Sequence, residues 1–112
     1  MGHITIDQLI RDSFRCASEH GWHDELRSYG DIIALIHSEL SEALEAYREG
    51  NHPTMVTFDA SGKPCGIPIE LADAVIRIAD MCGVYEIDLS AAIRQKMWYN
   101  EGREYRHGGK RL

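Results

Sequence analysis

The sequence has little of what a cross-linked, membrane-spanning or nucleic-acid-binding chain requires. Its 112 residues hold only three cysteines, Cys16, Cys65 and Cys82. They form an odd set without a C-x-x-C pair, which argues against a disulfide framework and fits a reducing cytosol. Each reads as a small buried apolar residue. No apolar run approaches the roughly 18 residues of a membrane span, and no signal peptide is recognisable. The Met1-Gly2 start lacks the Ser or Thr of a myristoylation pattern, because Ile6 stands there. Basic residues number 12 against 18 acidic ones, a formal net charge of −6. That disfavours a nucleic-acid backbone or an anionic membrane as partner. A small phosphate ligand is still compatible, since a bound divalent cation inverts the local field. Internal repeats and low-complexity segments are also missing. What remains is an ordinary globular composition, 44% hydrophobic and 27% charged. The length suits a single domain over residues 1–112, expected in the cytoplasm.

Hydrophobic periodicity predicts four helices and an all-α class. The first runs from about Ile6 to His20, with Thr5 and Gln8 as a capping-box pair and Gly21 as its stop. Ile6, Leu9, Ile10, Phe14 and Ala17 make its apolar stripe. The second runs from about Asp31 to Glu49 and stops at Gly50, with Ile32, Ile33, Ile36, Leu40, Ala43, Leu44 and Tyr47 on one side. The third opens at Pro68 and stops at Gly83. The fourth follows Asp88 as N-cap and runs to about Glu101. Between the second and third helices, Met55-Val56-Thr57-Phe58 has strand propensity and Asp59-Ala60-Ser61-Gly62 reads as a turn, so a short hairpin is expected there. Gly62-Lys63 is not a P-loop, for the upstream glycine and the following Ser or Thr are missing.

Two carboxylate pairs stand out. Glu39 and Glu42 lie on the second helix, Glu70 and Asp73 on the third. A spacing of three puts both members of a pair on one face, with Cβ atoms roughly 5–6 Å apart. Such pairs are common on solvated faces, and the neighbours carry more information. Glu39 lies within about 40° of Ile32, Leu35, Ala43 and Ala46, inside the apolar arc. Glu42 sits at the edge of that arc, and Glu45 and Glu49 point away. On the third helix, Glu70, Asp73, Arg77 and Asp80 form one narrow stripe between apolar flanks, which predicts a buried helix whose stripe faces an internal cleft. Carboxylates converging in a cleft must protonate, pair with bases or bind a cation. An all-oxygen set suits a hard ion, Mg²⁺ or Mn²⁺. Zn²⁺ fits less well, since neither pair includes a His or Cys, and His20, His23, His37, His52 and His107 form no metal-spaced set. Each of those histidines reads as a surface or capping residue. The competing reading of the stripe is an internal salt-bridge network in which Arg77 pairs with Asp73 and Asp80.

Ile36-His37-Ser38-Glu39-Leu40-Ser41-Glu42-Ala43, followed by Pro68-Ile69-Glu70-Leu71-Ala72-Asp73, resembles the MazG-like branch of the all-α nucleoside triphosphate pyrophosphohydrolases. That superfamily places an E-x-x-E pair and an E-x-x-D pair on adjacent helices. Here 27 residues, Ala43 to Ile69, separate the pairs. Lys96, Asn100 and Arg103 match its K-x-x-x-N-x-x-R element, and His107-Gly108-Gly109-Lys110 resembles its ending. The resemblance covers the chain from about Gly21 onward. It implies a four-helix core and Mg²⁺-dependent cleavage of (deoxy)nucleoside triphosphates to monophosphate and pyrophosphate. Glu39, Glu42, Glu70 and Asp73 would then be the metal ligands, with Glu39 or Glu42 accepting the proton of the attacking water. Lys96, Asn100, Arg103 and Lys110 would bind phosphate oxygens, and Trp22 would stack on the base. A homodimer or homotetramer is implied, with Trp98 and Tyr99 in the core or at the subunit interface. The runner-up is a nucleotide sensor on the same fold without turnover. A di-iron carboxylate bundle is disfavoured, since the positions three after Glu39 and Glu70 are Glu42 and Asp73 rather than His.

Overall fold

A computed structural model describes residues 2–103 of the chain. Within them lie four α-helices, α1 (Ile6–Glu19), α2 (Tyr29–Arg48), α3 (Ile67–Tyr85) and α4 (Leu89–Glu101). A two-stranded hairpin, β1 (Thr57–Phe58) and β2 (Pro64–Cys65), separates α2 from α3. The class is all-α. No helix among these residues is long and apolar enough to cross a membrane.

Local chemistry sets most of the boundaries. The Thr5 hydroxyl accepts from the Gln8 N–H at 3.1 Å, and the Gln8 side chain accepts from the Thr5 N–H at 2.9 Å, closing the expected capping box on α1. The Asp88 carboxylate accepts from the Ala91 N–H at 3.0 Å and opens α4. The start of α2 differs from the expected Asp31. Ser28 is its N-cap, accepting from the Asp31 N–H at 3.1 Å, so the helix begins two residues earlier. A side-chain cap here outweighs the poor helix propensity of Gly30.

The larger correction concerns α3. It begins at Ile67, one residue before Pro68, and it does not stop at Gly83. It continues to Tyr85 and closes on Glu86, a left-handed residue at φ 55° whose N–H bonds to the Cys82 carbonyl. Gly83 is there for packing. A Cβ on it would fall 2.8 Å from Cβ and Cδ2 of Phe14, so the bare backbone is what lets the Phe14 ring of α1 lie on α3. At the other end, Gly66 has φ 121°, and a Cβ there would collide with the Met55 carbonyl. That close approach anchors the hairpin to the first turn of α3. The hairpin turn is tied by Asp59, whose Oδ1 accepts from Ser61 N, Ser61 Oγ and Lys63 N at 2.7–3.0 Å.

Helix α3 is the spine, packed against α1 on one side and α2 on another, while α4 packs on α1. The buried apolar residues are small or medium: Ile36 and Ala43 from α2, and Ile67, Ala74, Ala79, Met81 and Cys82 from α3. The expectation of a buried α3 holds on its α1 and α2 sides only. Leu71, Val75 and Ile76 remain 44–49% exposed in the single chain. Cys82 is buried, Cys65 half-buried and Cys16 exposed, and all are free thiols.

Gly83→Ala should lower stability by about 1 kcal/mol net. An overpacking cost of about 1–3 kcal/mol exceeds the gain in helix propensity of about 1 kcal/mol. Thermal melting followed by circular dichroism would show a drop of several degrees, and a raised midpoint would refute the packing role.

Candidate functional site

The facing stripes of α2 and α3 meet where the sequence pattern placed the acids. Glu39 is buried, Glu70 half-buried and Asp73 exposed. One carboxylate oxygen from each lies within 4.8 Å of the others. Glu42 is exposed and stands close enough to Glu70 to raise the proton affinity of its carboxyl. Three of the four expected ligands therefore converge, and Glu42 stands beside Glu70 outside that group.

The crowding shows in the proton affinities. Glu70 is pushed up from 4.5 to about 7, first by burial, then by the Glu42 hydrogen bond and the charges of Glu42, Asp73 and Glu39. Asp73 is raised by desolvation and then by Glu39, with Arg77 and Lys63 pulling the other way. Converging carboxylate oxygens of this kind form a set that a hard divalent cation fits.

The basic partners are not those the stripe suggested. Arg77 pairs with neither Asp73 nor Asp80. Its Nε donates to Glu39 Oε1 at 2.8 Å, bridging α3 to α2. Asp80 accepts instead from Nε2 of His23, at 2.8 and 3.1 Å to its two oxygens. Nδ1 of the same imidazole is 2.7 Å from Ser18 Oγ, and the ring lies against Phe14 with centroids 4.8 Å apart. His23 is thus a half-buried tether between the loop after α1 and α3, a correction to its reading as a surface or capping residue. Burial raises the Asp80 carboxyl, and His23 and Arg77 partly offset it. No sequence spacing signals the His23–Asp80 pair, whose members are 57 residues apart.

Trp22 is half-buried in that loop. The Arg27 guanidinium carbon lies 3.9 Å and the Arg77 guanidinium carbon 4.9 Å from its ring. Trp22 lines a cavity of about 350 Å³ together with Ser13, Glu39, Asp73, Ile76 and Arg77. The base-stacking candidate therefore shares one cavity with Glu39 and Asp73. The expected phosphate ligands do not join them within the single chain. Lys96 Nζ and the Arg103 guanidinium lie 4.9 and 5.8 Å from the Tyr99 ring, and Lys96 lines a different pocket on α4 with Gln95, Trp98 and Tyr99. Asn100 is exposed on the same helix. Lys110 lies outside the described residues. Trp98, 77% exposed, and Tyr99, 56% exposed, are not core residues of this chain. The cation bound to the acids is Arg77; the charge of Lys63, in the hairpin turn, also slightly offsets the rise at Asp73. The first was visible on the stripe, where only the competing salt-bridge reading gave it partners, Asp73 and Asp80, and these are not the ones it has. The second carried no sequence signal once the P-loop was excluded.

No family model, curated protein or solved structure matches the chain. The class and the local geometry above are what bear on function.

Glu70 generates a pH test. The folded chain holds its proton more tightly than the unfolded chain, so the contribution is full below about pH 4.5 and is lost as pH rises through about 7. Asp73 and Asp80 act in the same direction. In EDTA the melting temperature should fall between about pH 5 and about pH 7.5, and Glu70→Gln should flatten that slope. A metal-free midpoint that rises over this range would contradict the crowding described here.

Proposed function

We propose that this chain hydrolyses nucleoside or deoxynucleoside triphosphates to the monophosphate and pyrophosphate, using Mg²⁺, with Mn²⁺ as an alternative ion. The observation that carries the reading is the convergence of Glu39, Glu70 and Asp73 oxygens within 4.8 Å, two of which, Glu39 and Asp73, line a cavity that also holds Trp22. The likeness of the two carboxylate motifs to those of the MazG-like pyrophosphohydrolases supports it. A divalent cation, when bound, neutralises phosphate charge and lowers the pKa of a bound water.

The chain's own groups do the rest. Glu39 is oriented by Arg77, and Asp73 and Glu70 stand one helix away on α3. Glu39 or Glu42 takes the proton of the attacking water, as a general base must lie within hydrogen-bond reach of it. Trp22 offers an apolar face to the base at the same cavity. The reading includes a homodimer or homotetramer. Leu40, Leu44 and Tyr47 on α2 and Leu71 and Val75 on α3 are 46–62% exposed, an apolar surface that a second copy would cover. Lys96, Asn100, Arg103 and Lys110 serve as phosphate ligands only where such an assembly brings them to the carboxylates.

Pyrophosphate release should be measured against a panel of common and modified nucleoside triphosphates, with Mg²⁺ and with EDTA. Mg²⁺-dependent release from a subset is expected. Nucleotide binding without release would instead indicate a sensor. Glu42→Gln and Asp73→Asn should each reduce turnover by more than about 100-fold, beyond the 10–100-fold typical of outer-shell changes, with helicity retained. Near-normal turnover in either variant would mean that the ligand assignment is wrong. Light scattering at micromolar concentration should give an oligomer, and a strictly monomeric profile would count against the assembly.

A further inference from the structure

Arg77 is doing only part of what its geometry permits. Its Nε is committed to Glu39, and among the described residues neither terminal Nη nitrogen has a hydrogen-bond or ion-pair partner. Neither is a sealed-off buried donor, since the only such orphan among the described residues is Nε of Arg27. The Arg77 side chain is 31% exposed and lines the cavity shared with Trp22, Glu39 and Asp73. Its guanidinium carbon is 4.9 Å from the Trp22 ring. The plane is therefore held at two points, by Glu39 and by the indole, while its outer edge has free donors. That edge is the end-on fork which matches two oxygens of one phosphate group.

The surroundings make this cation more than a structural counter-charge. The cavity wall brings together Glu39, Asp73 and Asp80, and Asp80 is already bound to His23. A triphosphate entering beside these acids needs positive charge at the point where nucleoside and phosphates join. Arg77 stands there, between the Trp22 ring and the Glu39 carboxylate.

We propose that Arg77 binds the phosphate nearest the nucleoside through its free Nη edge, while its Nε keeps Glu39 oriented. The inference rests on the triphosphate reading above. It makes Arg77 the link between the two halves of the site. A side chain that merely neutralised Glu39 would affect the carboxylates alone. One that also grips phosphate affects nucleotide affinity even when the carboxylates are saturated with metal.

The experiment compares the full chain with Arg77→Lys and Arg77→Gln. Each protein is titrated calorimetrically with Mg²⁺ alone, then with an α,β-methylene deoxynucleoside triphosphate at saturating Mg²⁺, and melted to check folding. Mg²⁺ affinity is expected to change by no more than the roughly 10–100-fold typical of an outer-shell partner, a change that saturating Mg²⁺ compensates in the second titration. Analogue affinity should fall by about tenfold or more in the Gln variant and by less in the Lys variant, as expected for loss of charge-assisted, bidentate hydrogen bonds. Analogue binding equal to wild type in both variants overturns the inference and leaves the triphosphate reading standing. A loss of Mg²⁺ affinity that fully accounts for the loss of analogue affinity also overturns it, since Arg77 would then act only through Glu39. Wild-type protein that binds Mg²⁺ but no analogue removes the triphosphate reading and this inference with it. Should the Gln variant fail to fold, the Lys variant decides, because it keeps the charge and loses only the fork.

Discussion

Like charge gathered between two helices is the constraint on which the rest of this structure depends. Two carboxylates 4 Å apart repel by about 4 kcal/mol at an effective dielectric of 20. Here three share a space of 4.8 Å, with a fourth, Glu42, at its edge. In the metal-free chain the repulsion is relieved in two ways. Glu70 holds a proton to about pH 7, and Arg77 reaches across from α3 to Glu39. The Arg77–Glu39 pair is mostly buried on its acid side, where the side chain is 12% exposed. Breaking a fully buried pair costs about 3–5 kcal/mol, and the partial exposure of Arg77 brings this one lower. Either way, α2 and α3 are held in register by the groups that make the site electrostatically unfavourable.

The scaffold around the acids is arranged to keep α3 fixed. Ala74 and Ala79 are small enough to let the neighbouring helices close in, and Gly83 accepts the Phe14 ring directly on its backbone. His23 ties the loop after α1 to Asp80, and the same loop carries Trp22 and Arg27. The hairpin meets the first turn of α3 at Gly66, one helical turn before Glu70. Loop, hairpin and helix packing thus all converge on the helix that supplies Glu70, Asp73 and Arg77. Exposed apolar residues include Leu40, Leu44 and Tyr47 on α2, Leu71 and Val75 on α3 and Trp98 on α4, besides Leu26 in the loop after α1 and Phe58 in the hairpin.

Much of this was legible in the chain because helix periodicity is a local property. The arc of apolar residues around Glu39 predicted its burial, and the caps at Thr5 and Asp88 marked true helix starts. The hairpin followed from β-branched and aromatic residues beside an Asp-Ala-Ser-Gly turn. Gly83 misled because a glycine reads as a helix stop when its role is to admit a ring from another helix. Arg77 misled for a related reason. Partners on its own helix were visible at i−4 and i+3, whereas its actual partner lies 38 residues away. The assignment of Lys96, Asn100 and Arg103 to phosphate rests on the resemblance alone, and in the single chain α4 packs on α1.

By itself the sequence determined the all-α class, the faces of α2 and α3 that carry the acids, and the type of ion those acids would suit. These follow from the period of the helix and the hardness of carboxylate oxygens, which need no knowledge of neighbours. Only the tertiary structure decided that Arg77 serves Glu39, that Asp80 belongs to His23, and that Trp22 shares a cavity with Glu39 and Asp73. Those pairings depend on how helices and a loop distant in the chain come together. A side chain selects its partner by distance and desolvation in three dimensions, and neither quantity is written in the spacing of residues along one strand of sequence.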